Sequence, residues 1–249
     1  MMAGFFMVYI SASMPMAVAI PVVLLMTVAL GLLIERAAYK PLRSAPRMSV
    51  MISAIGVSYL LQNLATYITG GLARPYPEIP FLKGTFMLGA LKIKVITVVT
   101  PLLTILLVIA LVIFINHTKT GMAMRAVSRD FDTARLMGIK VNNIISVTFI
   151  IGSFLAGVGS ILYFSNYGQV SPTIGAMPGL KAFVAAVFGG IGSIPGAVLG
   201  AYIIGICESL IKANDAIAIF SNAFTFALLI LVLLFKPNGM FGEKLAEKV

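Results

Sequence analysis

Long apolar runs separated by short polar connections make up most of the chain. Eight hydrophobic segments stand out, at about residues 1–13, 16–34, 48–69, 95–116, 143–164, 180–188, 195–210 and 217–235. No Asp, Glu, Lys or Arg falls within residues 95–116, 141–180, 182–207 or 216–235. A helix needs about 20 apolar residues, each rising about 1.5 Å, to cross roughly 30 Å of hydrocarbon. Most of these runs meet that length. Strands of a membrane β-barrel would instead alternate apolar and polar residues over about 10 positions, whereas these runs are apolar on every face. The pattern predicts an all-α fold: one polytopic transmembrane helix bundle over residues 1–249. The sixth run is too short to span and leads into Gly189, Gly190, Ile191, Gly192, Ser193, Ile194 and Pro195. That string predicts a broken helix or re-entrant hairpin, because non-helical backbone is tolerated at membrane depth only inside protein or beside a wet cavity.

Composition strengthens this picture. Hydrophobic residues make up 60% of the chain and charged residues 10%, and mean hydropathy is +1.05. A soluble domain carries about 25% charged residues to wet its surface. Lipid must therefore be the solvent for much of this one. The formal net charge of +10 would suggest a nucleic-acid partner in a soluble protein. In a chain this apolar it instead marks loops on the inner side of a membrane, and no nucleic acid is expected.

The distribution of charge predicts an orientation. The N-terminus is placed inside and the segments alternate, with the sixth and seventh forming a hairpin entered from outside. The inner side then receives twelve cations: Arg36, Lys40, Arg43, Arg47, Lys119, Arg125, Arg129, Arg135, Lys140, Lys236, Lys244 and Lys248. The outer side receives six: Arg74, Lys83, Lys92, Lys94, Lys181 and Lys212. The positive-inside rule prefers this arrangement to its mirror image, with both termini cytoplasmic. There is no tryptophan, so Tyr39, Tyr59, Tyr67 and Tyr163 are the available depth markers. The first segment has no basic stretch before it and no small-residue cleavage site after it, so it does not read as a signal peptide.

Few residues offer chemistry. Cys207 is the one cysteine and His117 the one histidine, which rules out an intrachain disulfide and a His/Cys metal cluster. Cys207 reads as a small buried hydrophobe and His117 as an interfacial loop residue. Small residues at helical spacing (Gly152, Ala156 and Ser160, then Gly196 and Gly200) read as packing seams that let backbones approach. Gln62 and Asn63 are rare polar groups within a span, suited to the translocation path or to hydrogen bonds between helices. Lys181 and Glu208 lie near span ends, within reach of the interface or of each other across the hairpin.

The connection at about residues 117–142 is the longest mixed-charge stretch. Asp130 can cap a helix that has Asp132 in its first turn, Arg135 later and Gly138 at its end. Phe131 and Ala134 lie one turn apart and can face a partner, and a short helix at about residues 122–128 precedes them. Two short helices suit docking on a soluble protein; an ordinary amphipathic surface loop has the same pattern.

The spacing of Gly121, Arg125, Ala126, Asp130, Ala134 and Gly138 resembles the coupling loop of ABC importer permeases for branched-chain amino acids, the LivH type. So do residues 34–43 (IERAAYKPLR), Ile52 to Gly56 with Leu61, Gln62 and Asn63, and residues 185–196. The likeness runs through residues 228–234 to the tail that starts at Lys236. It implies one more transmembrane helix upstream, with the first segment here matching the middle of a family helix. It also implies a second, homologous permease subunit, two cytoplasmic ATPases and an extracytoplasmic solute-binding protein, in a prokaryotic cell membrane. The chain lacks a Gly-x-x-x-x-Gly-Lys-Ser/Thr string; no cofactor is expected in it, and ATP would be bound by partner subunits. A secondary transporter would need ionisable residues deep in its spans, and the long spans contain almost none. A membrane enzyme would need a nucleophile, base or metal cluster, and none is found.

Overall fold

The computed structural model describes residues 1–42, 45–88, 91–190, 192–214, 217–236 and 239–240. Expectations that involve Arg43, Ile191, Pro237, Asn238, Lys244 and Lys248, including the side on which the C-terminus lies, fall outside the described residues. The chain divides into two compact units, residues 1–174 and 175–249.

The first unit holds α1 (Met2–Ser11), α2 (Met16–Ile34), α3 (Arg47–Thr69), α4 (Val95–His117), α5 (Lys119–Arg129), α6 (Phe131–Leu136) and α7 (Val141–Tyr167). Five helical stretches among the described residues are long and apolar enough to cross a membrane, four of them in this unit. Their outward surfaces are oily: Leu25 on α2 is 70% exposed, and Leu102, Ile109 and Ile113 on α4 are also exposed. A water-soluble body does not display apolar area on this scale, and this is a multi-pass membrane protein. Several hydroxyls inside the spans are satisfied within their own helices, as in Thr27 to the Val23 carbonyl (2.7 Å) and Thr100 to Ile96 (2.7 Å). In hydrocarbon no water would take that role.

The core of this unit forms where α1 and α2 meet the end of α7. Phe5, Met7, Val23, Ile161, Phe164 and Val170 are buried there. Gly4 makes room for the Phe164 ring, since a Cβ at residue 4 would lie 2.6 Å from it. Tyr76 and Ile79, from the connection after α3, complete the cluster. That connection is tied to the end of α7 by a short antiparallel pair, β1 (Arg74–Pro75) with β4 (Gln169–Val170). The ends of α3 and α7 therefore share one side of the bundle. On it Tyr163 stacks on Tyr167 at 4.4 Å and meets Phe164 edge-on. A hairpin of β2 (Thr85–Leu88) and β3 (Leu91–Lys94), in the register Thr85 to Lys94, fills the remainder of the same connection.

The main helix seam pairs α2 with α7, and it differs from the one expected. Gly152 has nothing within 4 Å of a Cβ position, and Ala156 is exposed. The contact face lies one residue further on. Ser153 fills the space of a side chain at Gly31, and Gly157 lies beneath Leu24 and Thr27. After α2 the helix widens into a π-helical turn, Glu35–Tyr39, in which the Lys40 amide donates to the Glu35 carbonyl at 2.8 Å.

The second unit contains α8 (Ala176–Gly189), α9 (Ile194–Lys212) and α10 (Ser221–Phe235). With 14 residues, α8 is about 21 Å long and falls short of a span. The chain reverses through Gly190 and Gly192, with φ of 107° and 102°, which L side chains rarely adopt. The Ser193 Oγ then accepts from the Gly196 amide at 3.2 Å to cap α9. Gly196 and Gly200 pack against Gly189 and Ala185, so this expected seam is present. Lys181 and Lys212 both donate to Glu208 Oε1, at 2.6 and 2.5 Å, and the first bond fastens α8 to α9. The last run starts with a 3-10 turn, Ala218–Phe220, and becomes α-helical at Ser221, later than its apolar pattern indicated.

Candidate functional site

On the side opposite the β1–β4 bridge, α4 and α7 are joined by two short helices that form a rigid elbow. The Thr118 hydroxyl ends α4 by donating to the Phe114 carbonyl (2.7 Å) and starts α5 by accepting from the Gly121 amide (3.0 Å). Gly121 is required at this corner. A Cβ there would lie 2.4 Å from the Ile115 carbonyl oxygen, which is backbone and has no room to yield. The α5 helix begins three residues before the expected 122 and runs to Arg129. Its Val127 is buried, whereas Arg125 and Ala126 are exposed.

Asp130 ends α5 and caps α6. Its Oδ1 accepts from the Asp132 amide (3.0 Å) and the Thr133 amide (3.2 Å), and its Oδ2 accepts from the Thr133 hydroxyl (2.8 Å). At the other end Gly138 takes φ +81°. The Ile139 amide reaches the Ala134 carbonyl and the Gly138 amide reaches Arg135. These two bonds form a Schellman closure. Capping and termination thus follow the sequence pattern at Asp130 and Gly138. Asp130→Ala should remove about 1 kcal/mol from a helix of only six residues. We expect amide exchange across Thr133 to Leu136 to rise about fivefold, the factor that energy implies; protection equal to wild type would show that the cap is dispensable.

The outward face is not the one anticipated. Ala134 is 3% exposed, turned inward where α6 meets α5 and α7, and cannot touch a partner. Phe131 does face outward at 56%, joined by Leu136 at 87% and Met137 at 78%. Met122 on α5 is also exposed. Leu136 and Met137 escaped sequence reading because they fall where the helix is already ending. Arg125 and Arg129 on α5 and Arg135 on α6 are exposed as well. Exposed apolar side chains and arginines on two adjacent short helices have the composition of a protein-docking surface.

The π-helical turn lies on the same side, because Glu35 accepts a hydrogen bond from Ser146 in the second turn of α7 (3.1 Å). Among the described residues, Gln62 and Asn63 bond within α3 and not to another helix. The Gln62 amide donates to the Ser58 hydroxyl (3.4 Å) and the Asn63 amide to the Tyr59 carbonyl (2.8 Å), both within α3. Asn63 is exposed. His117 is the exposed last residue of α4, where a cation would complement the helix C-terminus. Cys207 is half-buried. Among the described residues no three His, Cys, Asp or Glu side chains are grouped to hold a metal.

Comparison with known proteins gives a consistent result. Residues 1–233 match the family described as branched-chain amino acid transport system / permease component. The high-affinity branched-chain amino acid transport system permease protein BraD of Pseudomonas aeruginosa is 39% identical over 244 residues, covering 96% of this chain and 78% of that protein. LivH of Escherichia coli, named in the same words, is 41% identical over 226 residues, or 89% of this chain and 72% of its own length. The probable branched-chain amino acid transport permease protein LivH of Methanocaldococcus jannaschii is 29% identical over 241 residues, 94% of this chain and 74% of that one. No solved structure matches.

Proposed function

The chain belongs to the branched-chain amino acid transport permease family, and from this premise we propose that it is the membrane-spanning subunit of an ATP-driven ABC importer for leucine, isoleucine, valine or closely related amino acids. The family match along residues 1–233 carries the reading. The capped elbow of α5 and α6 supplies its mechanism. ATP is bound and hydrolysed by separate ATPase subunits that grip Phe131, Leu136 and Met137. Closure of those subunits displaces the elbow and tilts the attached spans between outward-open and inward-open states. Such switching requires that ATP and the loaded binding protein each favour one state over the other.

A second permease subunit, two ATPases and an extracytoplasmic binding protein complete the assembly. In it Gln62 and Asn63 line a path closed by the second permease. The cation-rich side, with Arg36, Lys40 and the elbow, is cytoplasmic by the positive-inside rule. The N-terminus, one span pair earlier, lies on that side too, as does the C-terminus. The secondary-transporter reading is the weaker one: nothing in the spans of α2, α4 or α7 offers an unpaired ionisable group for ion coupling.

Reconstitution with the ATPase and binding-protein subunits tests this. Uptake of labelled leucine into proteoliposomes should require ATP at the ATPase side and persist when ionophores collapse every ion gradient. Uptake that follows an ion gradient without ATP would replace this reading with secondary transport.

A further inference from the structure

The seam between α2 and α7 tightens toward the elbow. Gly157 lies under Leu24 and Thr27, and Gly31 is closed over by Ser153. Beyond these, the Tyr39 and Phe149 rings meet at 5.1 Å. At the end nearest the elbow, Glu35 accepts from Ser146 at 3.1 Å. Glu35 is 1% exposed, the most thoroughly buried charged side chain described. A carboxylate at the end of a membrane span is costly to bury, and such groups mark function more often than packing. It also stands in a π-helical turn, a geometry that concentrates at functional sites. Ser146 lies eight residues after Gly138, so no flexible linker separates the elbow from this bond.

We propose that Glu35 is a positioning residue that latches the first turns of α7 to the end of α2. Displacement of α5 and α6 is thereby passed to α2 instead of being lost as slip between the helices. Without the latch, α7 would rotate or slide on its glycine-lined seam while α2 stayed behind. The inference rests on the ABC importer reading and deepens it, naming the bond that carries the stroke from the elbow into the spans.

The test uses the full reconstituted complex and reads substrate moved per ATP hydrolysed. Ser146→Ala and Glu35→Ala should each lower that ratio by about tenfold or more, the scale of one lost hydrogen bond to a charged group. Basal ATP hydrolysis and ATPase-subunit binding should match wild type. Glu35→Gln retains an acceptor for the Ser146 hydroxyl and should recover most of the ratio, and Ser146→Ala with Glu35→Ala should be no worse than either alone. If Glu35→Ala does not fold, Ser146→Ala decides. An unchanged ratio in Ser146→Ala, or a loss that only tracks weaker ATPase binding, overturns the latch. Failure of the wild-type complex to move substrate with ATP would instead remove the importer reading itself.

Discussion

Gly189→Ala is expected to abolish transport by forcing the α8–α9 hairpin apart. A Cβ at residue 189 would sit 2.1 Å from the Gly196 carbonyl oxygen, 2.3 Å from its carbon and 2.5 Å from the Ala197 nitrogen. All three atoms are backbone, so no side chain can rotate away. Relief requires the helices to separate by more than an ångström, which loosens Val184, Ala185, Phe188 and Ile204 together. Overpacking of this kind costs about 3 kcal/mol or more at the severe end, roughly a hundredfold in the population of the closed hairpin. Gly205→Ala is the matched control, because nothing lies within 4 Å of its Cβ position and alanine favours a helix. Folded yield in detergent, followed by size exclusion after heating, separates the two. Equal yields would mean that the close crossing at Gly189 is unnecessary.

The second large effect concerns the elbow. Phe131→Asp combined with Leu136→Asp should weaken ATPase association by about a hundredfold, the range for loss of apolar anchors at the centre of an interface. Both side chains are exposed, so folding of the permease should be untouched. Arg125→Ala, which removes one exposed charge on α5, should have a smaller effect that fades at high salt. Titration of detergent-solubilised variants with the ATPase subunit gives both numbers. Wild-type affinity in the double variant would move the docking surface elsewhere.

Much of the fold was legible because a membrane span has a length requirement that apolar runs report directly. The run at 16–34 is the helix Met16–Ile34, and the short sixth run with its glycine string became the α8–α9 hairpin. Asp130 and Gly138 were readable because capping and positive φ are local demands on one residue type. Helix rotation was not. An all-apolar helix has no polar face to show which side meets a neighbour. The stripe through Gly152 and Ala156 thus looked as good as the true contact through Ser153 and Gly157, which Gly31 and Thr27 of α2 select. The same limit misassigned Ala134, whose small size serves an inward position. The π-helical turn left no local mark either: Glu35 to Tyr39 has ordinary helix-forming composition, and its widening accompanies the partners Ser146 and Phe149, more than 100 residues away.

The central claim is that the elbow is gripped by an ATPase on the inner side of the membrane. Site-directed cross-linking tests it most directly, and Cys207→Ser provides a cysteine-free background. With Leu136→Cys in that background, a thiol-to-amine cross-linker applied to inside-out membrane vesicles should join the permease to its ATPase subunit. An impermeant thiol reagent should label the same position in those vesicles but not in intact cells. Labelling from outside intact cells, or an assembled complex that gives no ATPase adduct from residue 136, would contradict the account.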